Sequence, residues 1–321
     1  MLGIVPATEV PVDRLVELTH GLRQALVRRG EYLPADWVEE AANDLRAGRL
    51  AGWVLPSSPG GLAVVSVHGA RAVGHLHVEP GPEARQRGTA LLAQLRANIS
   101  REAGRTDAGV TGLTDIEEHG VAATFADDPG FSVLRRFRLS RGTQDVVPQE
   151  GAPFPSGIRR IPVRSLPLEQ LAQLDWAGFQ GTPDEAFVAE DVSADQRLLG
   201  DILDGRLGRF LDEASGAVVN SDDQLVGAIL TSEESPRTAV FLDLVVHPAF
   251  RRHGMATSLL RWGIRASAAL GYPSVALWVT ETNSPARALY ERLGFAREME
   301  TAIYRWSTPG PAPAAHPQSG R

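Results

Sequence analysis

The segment Leu244 to Ala256 (LVVHPAFRRHGMA) constrains this 321-residue chain more than any other. The β-rich run Thr238–Val246 (TAVFLDLVV) is too apolar for an edge exposed to water. It breaks at Pro248 and passes into a helix spanning Met255–Leu270. A strand that delivers the chain straight into a helix start makes a cradle for an anion. Gly254 admits a ligand to the backbone, Ala256 keeps the entry tight, and the first N–H groups of the helix point outward. Arg251 and Arg252 add positive charge beside it. The spacing fits neither GxxxxGK[ST] nor GxGxxG, which argues against a nucleoside triphosphate or a dinucleotide. The competing reading is an ordinary strand-turn-helix with surface arginines.

The neighbouring elements place this turn in a mixed sheet. Gly157–Pro162 reads as a strand, and Leu166–Ala177 and Ala194–Leu203 read as helices. Gly216–Asn220 and Gln224–Leu230 form a hairpin about Ser221, Asp222 and Asp223. Ser274–Val279 is a strand, Ser284–Leu293 a helix, and Ala302–Trp306 a closing strand. Helices first, then an antiparallel meander, then β-α-β-α-β gives an α/β or α+β domain around one sheet. The late helix is bounded by its caps: Asn283 before it, Pro285 in its first turn and Gly294 at its end. Leu289 and Leu293 share one face, and Tyr290 lies on a neighbouring face where its hydroxyl can project into a cleft.

The residues Arg251, Gly254 and Ala256 fit the turn pattern [QR]-x-x-G-x-[GA]. Asn283, Ala286, Tyr290, Gly294 and Phe295 fit N-x-x-A-x-x-x-Y-x-x-x-G-F. Together they resemble the GNAT acetyltransferase superfamily. The resemblance implies acetyl-CoA as the ligand and the primary amine of a small molecule as the acceptor. It implies that the turn from Arg251 and Arg252 through His253, Gly254, Met255, Ala256 and Thr257 holds the pyrophosphate. The splayed strands Thr238–Val246 and Ser274–Val279 would admit the pantetheine arm, bonded by backbone at Leu244, Val245 and Val246. Asn283 would bond the cofactor arm, Ala286 would belong to the same cofactor site, and Tyr290 would be the general acid for the departing thiolate. Direct transfer needs no protein nucleophile, but the amine must lose a proton.

Many relatives carry a glutamate eight residues before the position of Pro248, and this chain has Val240 there. The substitutes are Asp243 on the same strand and Glu233 or Glu234 just before it. Asp243 is read either as that base or as a hydrogen-bonded structural aspartate, and the two glutamates either as bases or as a solvated hairpin tip.

The first half reads as a worn copy. Ala72–Val78, Glu79-Pro80 and the run Arg85 to Ala90 repeat the layout of Leu242–Ala256, and Gly130-Phe131 echoes Gly294-Phe295. Gly254 lies 166 residues after Gly88, and Gly294 lies 164 after Gly130, as a duplication requires. The stretch Glu117–Asp128 has no counterpart of Asn283 and puts Phe125 near the tyrosine position. This half is expected either to wall the substrate cleft or to bind a second CoA-like ligand. The expected organisation is a degenerate GNAT-like domain at 1–143, a linker at 144–157, a catalytic GNAT domain at 158–306 and a disordered tail at 307–321. Each domain would be a mixed, mostly antiparallel sheet flanked by helices. The tandem arrangement is similar to that of mycothiol synthases, which acetylate the amine of a cysteine-containing sugar conjugate, and Val240 counts against sharing that substrate. A non-catalytic acyl-CoA sensor or scaffold, and acylation of a protein amine, remain as other readings.

Composition removes several chemistries. There is no cysteine, hence no disulfide, thiolate ligand or cysteine nucleophile. The net charge of −7 gives no general attraction to nucleic acid, and the absence of lysine among 32 basic residues reads as coding bias. No apolar run is long enough to span a bilayer, and the N-terminus lacks the pattern of a signal peptide, so a cytoplasmic monomer or homodimer is expected. His75 and His77 alternate on one strand without a third ligand, so no metal is expected.

Overall fold

The structure is a computed structural model that describes residues 3–28, 33, 36–68, 71–103, 109–111, 121, 123, 131–144, 154–185 and 191–307. Most of the expected linker (145–153), the expected tail (308–321), and Glu117–Asp128 with Phe125, apart from Val121 and Ala123, lie outside the described residues.

In chain order the elements are β1 (Val5–Pro6), α1 (Val12–Arg28), α2 (Trp37–Ala47), β2 (Ala51–Leu55), β3 (Gly61–His68), β4 (Arg71–Val78), α3 (Ala84–Ala103), β5 (Gly109–Thr111) and β6 (Phe131–Gly142). There follow β7 (Arg159–Ile161), α4 (Leu168–Phe179), α5 (Val192–Leu203), β8 (Gly216–Val219), β9 (Leu225–Ser235), β10 (Thr238–Val246), α6 (Met255–Ala269), β11 (Ser274–Thr280), α7 (Ser284–Arg292) and β12 (Ala296–Ser307).

The chain forms two compact units, Met1–Leu134 with Ala302–Arg321, and Arg135–Thr301. In the first the strands follow the order β1-β2-β3-β4-β5-β12, and in the second β7-β8-β9-β10-β11-β6. Each has an antiparallel hairpin (β3–β4 or β9–β10), a helical crossover to a parallel neighbour, and an antiparallel strand beyond it. The two halves therefore repeat one topology, a mixed, mostly antiparallel sheet flanked by helices.

The last strand of each unit comes from the other half of the sequence. Residues 136–142 of β6 pair with β11, from Thr280↔Arg136 to Ser274↔Gly142. The end of β12 pairs with β5, from Arg305↔Thr111 to Ser307↔Gly109. The sequence places a boundary after residue 143 and lets Ala302–Trp306 close the second half, whereas the structure divides the chain at Leu134 and again at Thr301. An apolar run reveals that it is a strand, but not which sheet edge it joins, and strands adjacent in sequence are neighbours only about two-thirds of the time. Tyr304 of β12 is 1% exposed within the core of the first unit, against Leu76, Leu91 and Leu95. Tyr304→Ala is expected to cost about 3–5 kcal/mol, read as a lower urea midpoint of the unfolding transition.

Around the second sheet, α6 buries Leu259, Leu260, Gly263, Ile264 and Ser267, a stripe of helical period that packs with Phe241, Leu277 and Phe295. On the other face α4 and α5 bury Leu171, Leu174, Leu199 and Ile202 against Leu230 and Val245. Gly178 brings α4 hard onto β10, since a Cβ there would meet Val245 Cγ2 at 2.2 Å. Helix α5 is fixed at its start by Asp191, whose Oδ1 accepts the Ala194 N–H at 2.7 Å.

The turn in the first half differs from its apparent repeat. Helix α3 begins at Ala84, so Gly88 sits inside the helix, where a Cβ would meet Val121 Cγ2 at 2.6 Å. Arg87 is 5% exposed and donates to the carbonyls of Glu79, at 2.8 Å, and Pro82. The loop is closed by the protein's own side chain, and Gly88 serves helix packing rather than access to the backbone.

Candidate active site

In the second unit β10 and β11 pair in parallel only from Thr238↔Ser274 to Phe241↔Leu277. Beyond that the strands part. Between Phe241 and Asp243 the β9–β10 register shifts by one residue, a bulge that bends β10 away from its neighbour. The N–H of His247 bonds Val226 O on β9 at 2.9 Å. By the two-residue alternation of antiparallel pairing, the amides of Val246 and Leu244 then face the opened edge towards β11.

A cavity of about 930 Å³ occupies this gap. At one end lies the turn before α6. Gly254 caps the helix with φ +80°, and Arg252 also has positive φ, at +67°. A Cβ at Gly254 would meet nothing within 4 Å, so the backbone there faces open space. The first N–H of the helix to find a carbonyl is that of Ser258, bonded to Gly254 O at 3.0 Å. The preceding N–H groups of Met255, Ala256 and Thr257 belong to the unpaired first turn, and all three residues line the cavity. Arg252 is exposed at its rim. His253 is exposed but outside the lining.

Arg251 behaves differently from a free phosphate ligand. Its guanidinium donates to the carbonyl of Gly178 at the end of α4, and its Nε to Val246 O at 3.3 Å. It ties the turn to α4 and to the end of β10, which makes it a strut of the cavity wall.

The other wall is α7. Asn283 caps it, with Oδ1 accepting the Ala286 N–H at 3.2 Å. The amide nitrogen of Asn283 donates to Asp184 Oδ2 at 2.6 Å, and Asp184 Oδ1 accepts the Thr280 N–H at 3.0 Å and its hydroxyl. Both polar ends of Asn283 are therefore engaged, so its work here is to join α7, β11 and the loop carrying Asp184. Nothing in the sequence singled out Asp184, because its partners are about 100 residues away and no spacing encodes them. Arg136, from β6, lies 3.9 Å from Asp184 and also lines the cavity; burial pushes its pKa down, while Asp184 opposes that.

Tyr290 is 9% exposed, packs edge-on against Phe295 at 6.0 Å, and lines the cavity with Ala286. Burial first, then the charges of Asp184 and Asp243, push its phenol well above the ordinary range, so the hydroxyl stays protonated. It donates no hydrogen bond among the described residues.

The candidate bases separate cleanly. Asp243 is 8% exposed and lines the cavity. Burial raises its pKa, opposed by a hydrogen bond with Asp175 and by the Leu244 amide. Glu234 is not in the lining. Arg138 clamps it, together with Glu298, and an ion-paired carboxylate held away from the cavity takes no proton from a ligand there. Glu233 is bonded by the Tyr272 hydroxyl and by Arg209 at 2.6 Å, which hold its carboxyl below the usual range. The hairpin tip is thus built from ion pairs rather than from solvated acids. Val240 is buried in the sheet and offers no polar atom. Among the described residues no group of three or more side chains is arranged to hold a metal, and no helix is long and apolar enough to cross a membrane.

Residues 168–295 match the profile of the Acetyltransferase (GNAT) family. The mycothiol acetyltransferase of Thermomonospora curvata is 28% identical over 92% of this chain and 95% of its own length. That of Kocuria rhizophila is 27% identical over 94% and 98%. A tandem GNAT protein from the clavulanic acid biosynthesis pathway superposes with a TM-score of 0.61 at 18% identity, over 96% of this chain and 98% of its own. A GCN5-related N-acetyltransferase from Sphaerobacter thermophilus gives 0.60 at 18% identity, over 94% and 93%. At such identities the solved structures establish the shared fold.

Proposed function

We propose, from the premise that residues 168–295 are a GNAT domain and the chain an N-acetyltransferase, that it moves the acetyl group of acetyl-CoA directly to the primary amine of a small molecule. The observation that carries this reading is the unpaired first turn of α6, opened by Gly254 onto a cavity that continues to Tyr290. A row of orphan N–H groups at a helix N-terminus fits a pyrophosphate. The outward amides of Leu244 and Val246 fit the peptide-like groups of a pantetheine arm laid between the parted strands. Arg252 adds charge at the rim, and Arg251 holds the turn in place.

Bound acetyl-CoA supplies a thioester that the acceptor nitrogen attacks, the C–N bond forming as the C–S bond breaks. A backbone N–H on the opened edge of β10 can polarise the carbonyl oxygen. Tyr290 keeps its proton until sulfur departs and then gives it up. Asn283 and Asp184 hold the start of α7, and through it the position of Tyr290. Asp243 is the acid-base group on the acceptor side.

The test is thermal stabilisation by acetyl-CoA. At a hundredfold excess over Kd, a ligand that binds only the folded state adds about 2.7 kcal/mol. For a unit of this size that raises Tm by roughly 5–10 °C. No shift at millimolar acetyl-CoA would sink the proposal. Stabilisation without transfer to any amine in a broad panel would instead favour an acyl-CoA sensor. The near full-length match to mycothiol acetyltransferases supports a second reading, in which the acceptor is a cysteinyl-sugar amine. Assay of such a conjugate beside simple amines and amino acids separates the two.

A further inference from the structure

We infer that Asp175, on α4, joins Asp243 in a proton-sharing carboxyl pair that receives the ammonium group of the acceptor and takes the proton its nitrogen must lose. The inference rests on reading the chain as an N-acetyltransferase, and it adds a residue that no motif marks.

The pair is made by packing. Gly178 lets α4 lie against β10, and Asp175 is one turn earlier on the same face of the helix, which turns its carboxyl towards Asp243. Asp175 is 2% exposed and Asp243 8%, yet both line the cavity. Each keeps one buried oxygen with no hydrogen-bond partner among the described residues, Oδ1 of Asp175 and Oδ2 of Asp243. The two carboxyls act on each other at short range, and two buried acids so placed favour the state in which one of them carries a proton.

Among the described residues no cation acts on either carboxyl, and Arg136, which lines the same cavity, acts on Asp184 and Tyr290. Asp195, wholly buried on α5, faces Asp175 and lies outside the cavity lining. From α7 the Tyr290 phenol faces Asp243. The groups that act on Asp243 are Asp175 and the Leu244 amide, and those that act on Asp175 are Asp243 and Asp195. Burial first, and then these neighbouring acids, push Asp175 well above the usual carboxylate range. Acids buried together without a cation weaken the folded state. An arrangement that costs stability and presents orphan oxygens to a cavity is one that a cationic ligand completes.

A singly protonated pair carries one negative charge and matches one ammonium. The ammonium gives its first proton to the pair, which leaves a neutral amine to attack, and the pair returns that proton to solvent. The second nitrogen proton replaces the one that Tyr290 passes to sulfur. Two protons leave nitrogen, one reaches solvent and one stays on the thiol.

Asp175→Asn tests this, because it keeps the shape and removes the charge. For the amine, kcat/KM should fall at least about 100-fold, with acetyl-CoA affinity unchanged. Asp243→Asn should do the same, and the double variant should be little worse than either, as for two residues acting as one unit. The readout independent of turnover is the infrared carbonyl stretch of a protonated buried carboxyl in unliganded protein. It should be present at neutral pH in the wild type and lost at lower pH in Asp175→Asn.

Stability gives the sign. Carboxyls with raised folded-state pKa stabilise most below their unfolded value, near 4, and that contribution is lost as pH rises through the folded pKa. Asp175→Asn should therefore flatten the fall of Tm above pH 4 and leave the variant at least as stable as wild type at pH 8. Wild-type kcat/KM in Asp175→Asn, or no protonated-carboxyl band, would overturn the pair while leaving the proposed activity intact. A wild-type protein that does not bind acetyl-CoA overturns both.

Discussion

Gly254→Val should weaken acetyl-CoA binding by at least about 100-fold while leaving the protein folded. The glycine faces open space with φ +80°, and a Cβ there meets no atom within 4 Å. Its cost to folding is the strain of a left-handed side-chain residue, about 1–2 kcal/mol. The cost to binding is larger, because the β-branched side chain would stand in front of the free N–H groups of Met255, Ala256 and Thr257. Hydrogen bonds to a charged group are worth about 1.5–3 kcal/mol each, and losing two of them exceeds the 2.7 kcal/mol of a hundredfold change. Calorimetric titration with acetyl-CoA measures this directly. A variant that binds as wild type does would remove the α6 turn from the site.

Tyr290→Phe should lower kcat by about 10²–10⁴-fold, the range of a lost general acid, with acetyl-CoA affinity nearly unchanged. Phenylalanine preserves the contact of the ring with Phe295 and its place in the core, so a fall in rate reports the hydroxyl rather than collapse of α7. Among the described residues the hydroxyl makes no donation that would mark it as structural, and burial and nearby acids keep it protonated throughout the neutral range. The effect should shrink for a thioester with a more acidic thiol, because such a leaving group needs less protonation. An unchanged kcat with a raised KM would assign Tyr290 to binding.

Much of the cavity wall formed by the α6 turn and α7 was legible in the sequence because it is written locally. The turn from Arg251 to Ala256 and the cap at Asn283 are sets of residues within a few positions of one another. Glycine, proline and asparagine at such places specify backbone conformation directly. The bounds of β10 follow in the same way from an apolar run interrupted only by Asp243. What misled was similarity without the same backbone: Arg85 to Ala90 carries the letters of the later turn, yet α3 starts before them and Gly88 is packed against Val121.

The wall that carries Asp243 is another matter. Asp243 stood out as an acid in an apolar strand, but whether Glu234 shared its role depended on Arg138, which is 96 residues away in sequence. Asp175, Asp184 and Arg136 carry no motif at all.

The sequence by itself determined most elements of the second half, the open turn before α6 and the helix that carries Tyr290, because each is set by interactions between near neighbours along the chain. Only the tertiary structure decided which strand completes each sheet, that Arg251 braces the cavity wall, and that Asp175 meets Asp243. Those outcomes depend on contacts between distant residues and on the loss of water around buried charge, and neither is encoded in any local spacing.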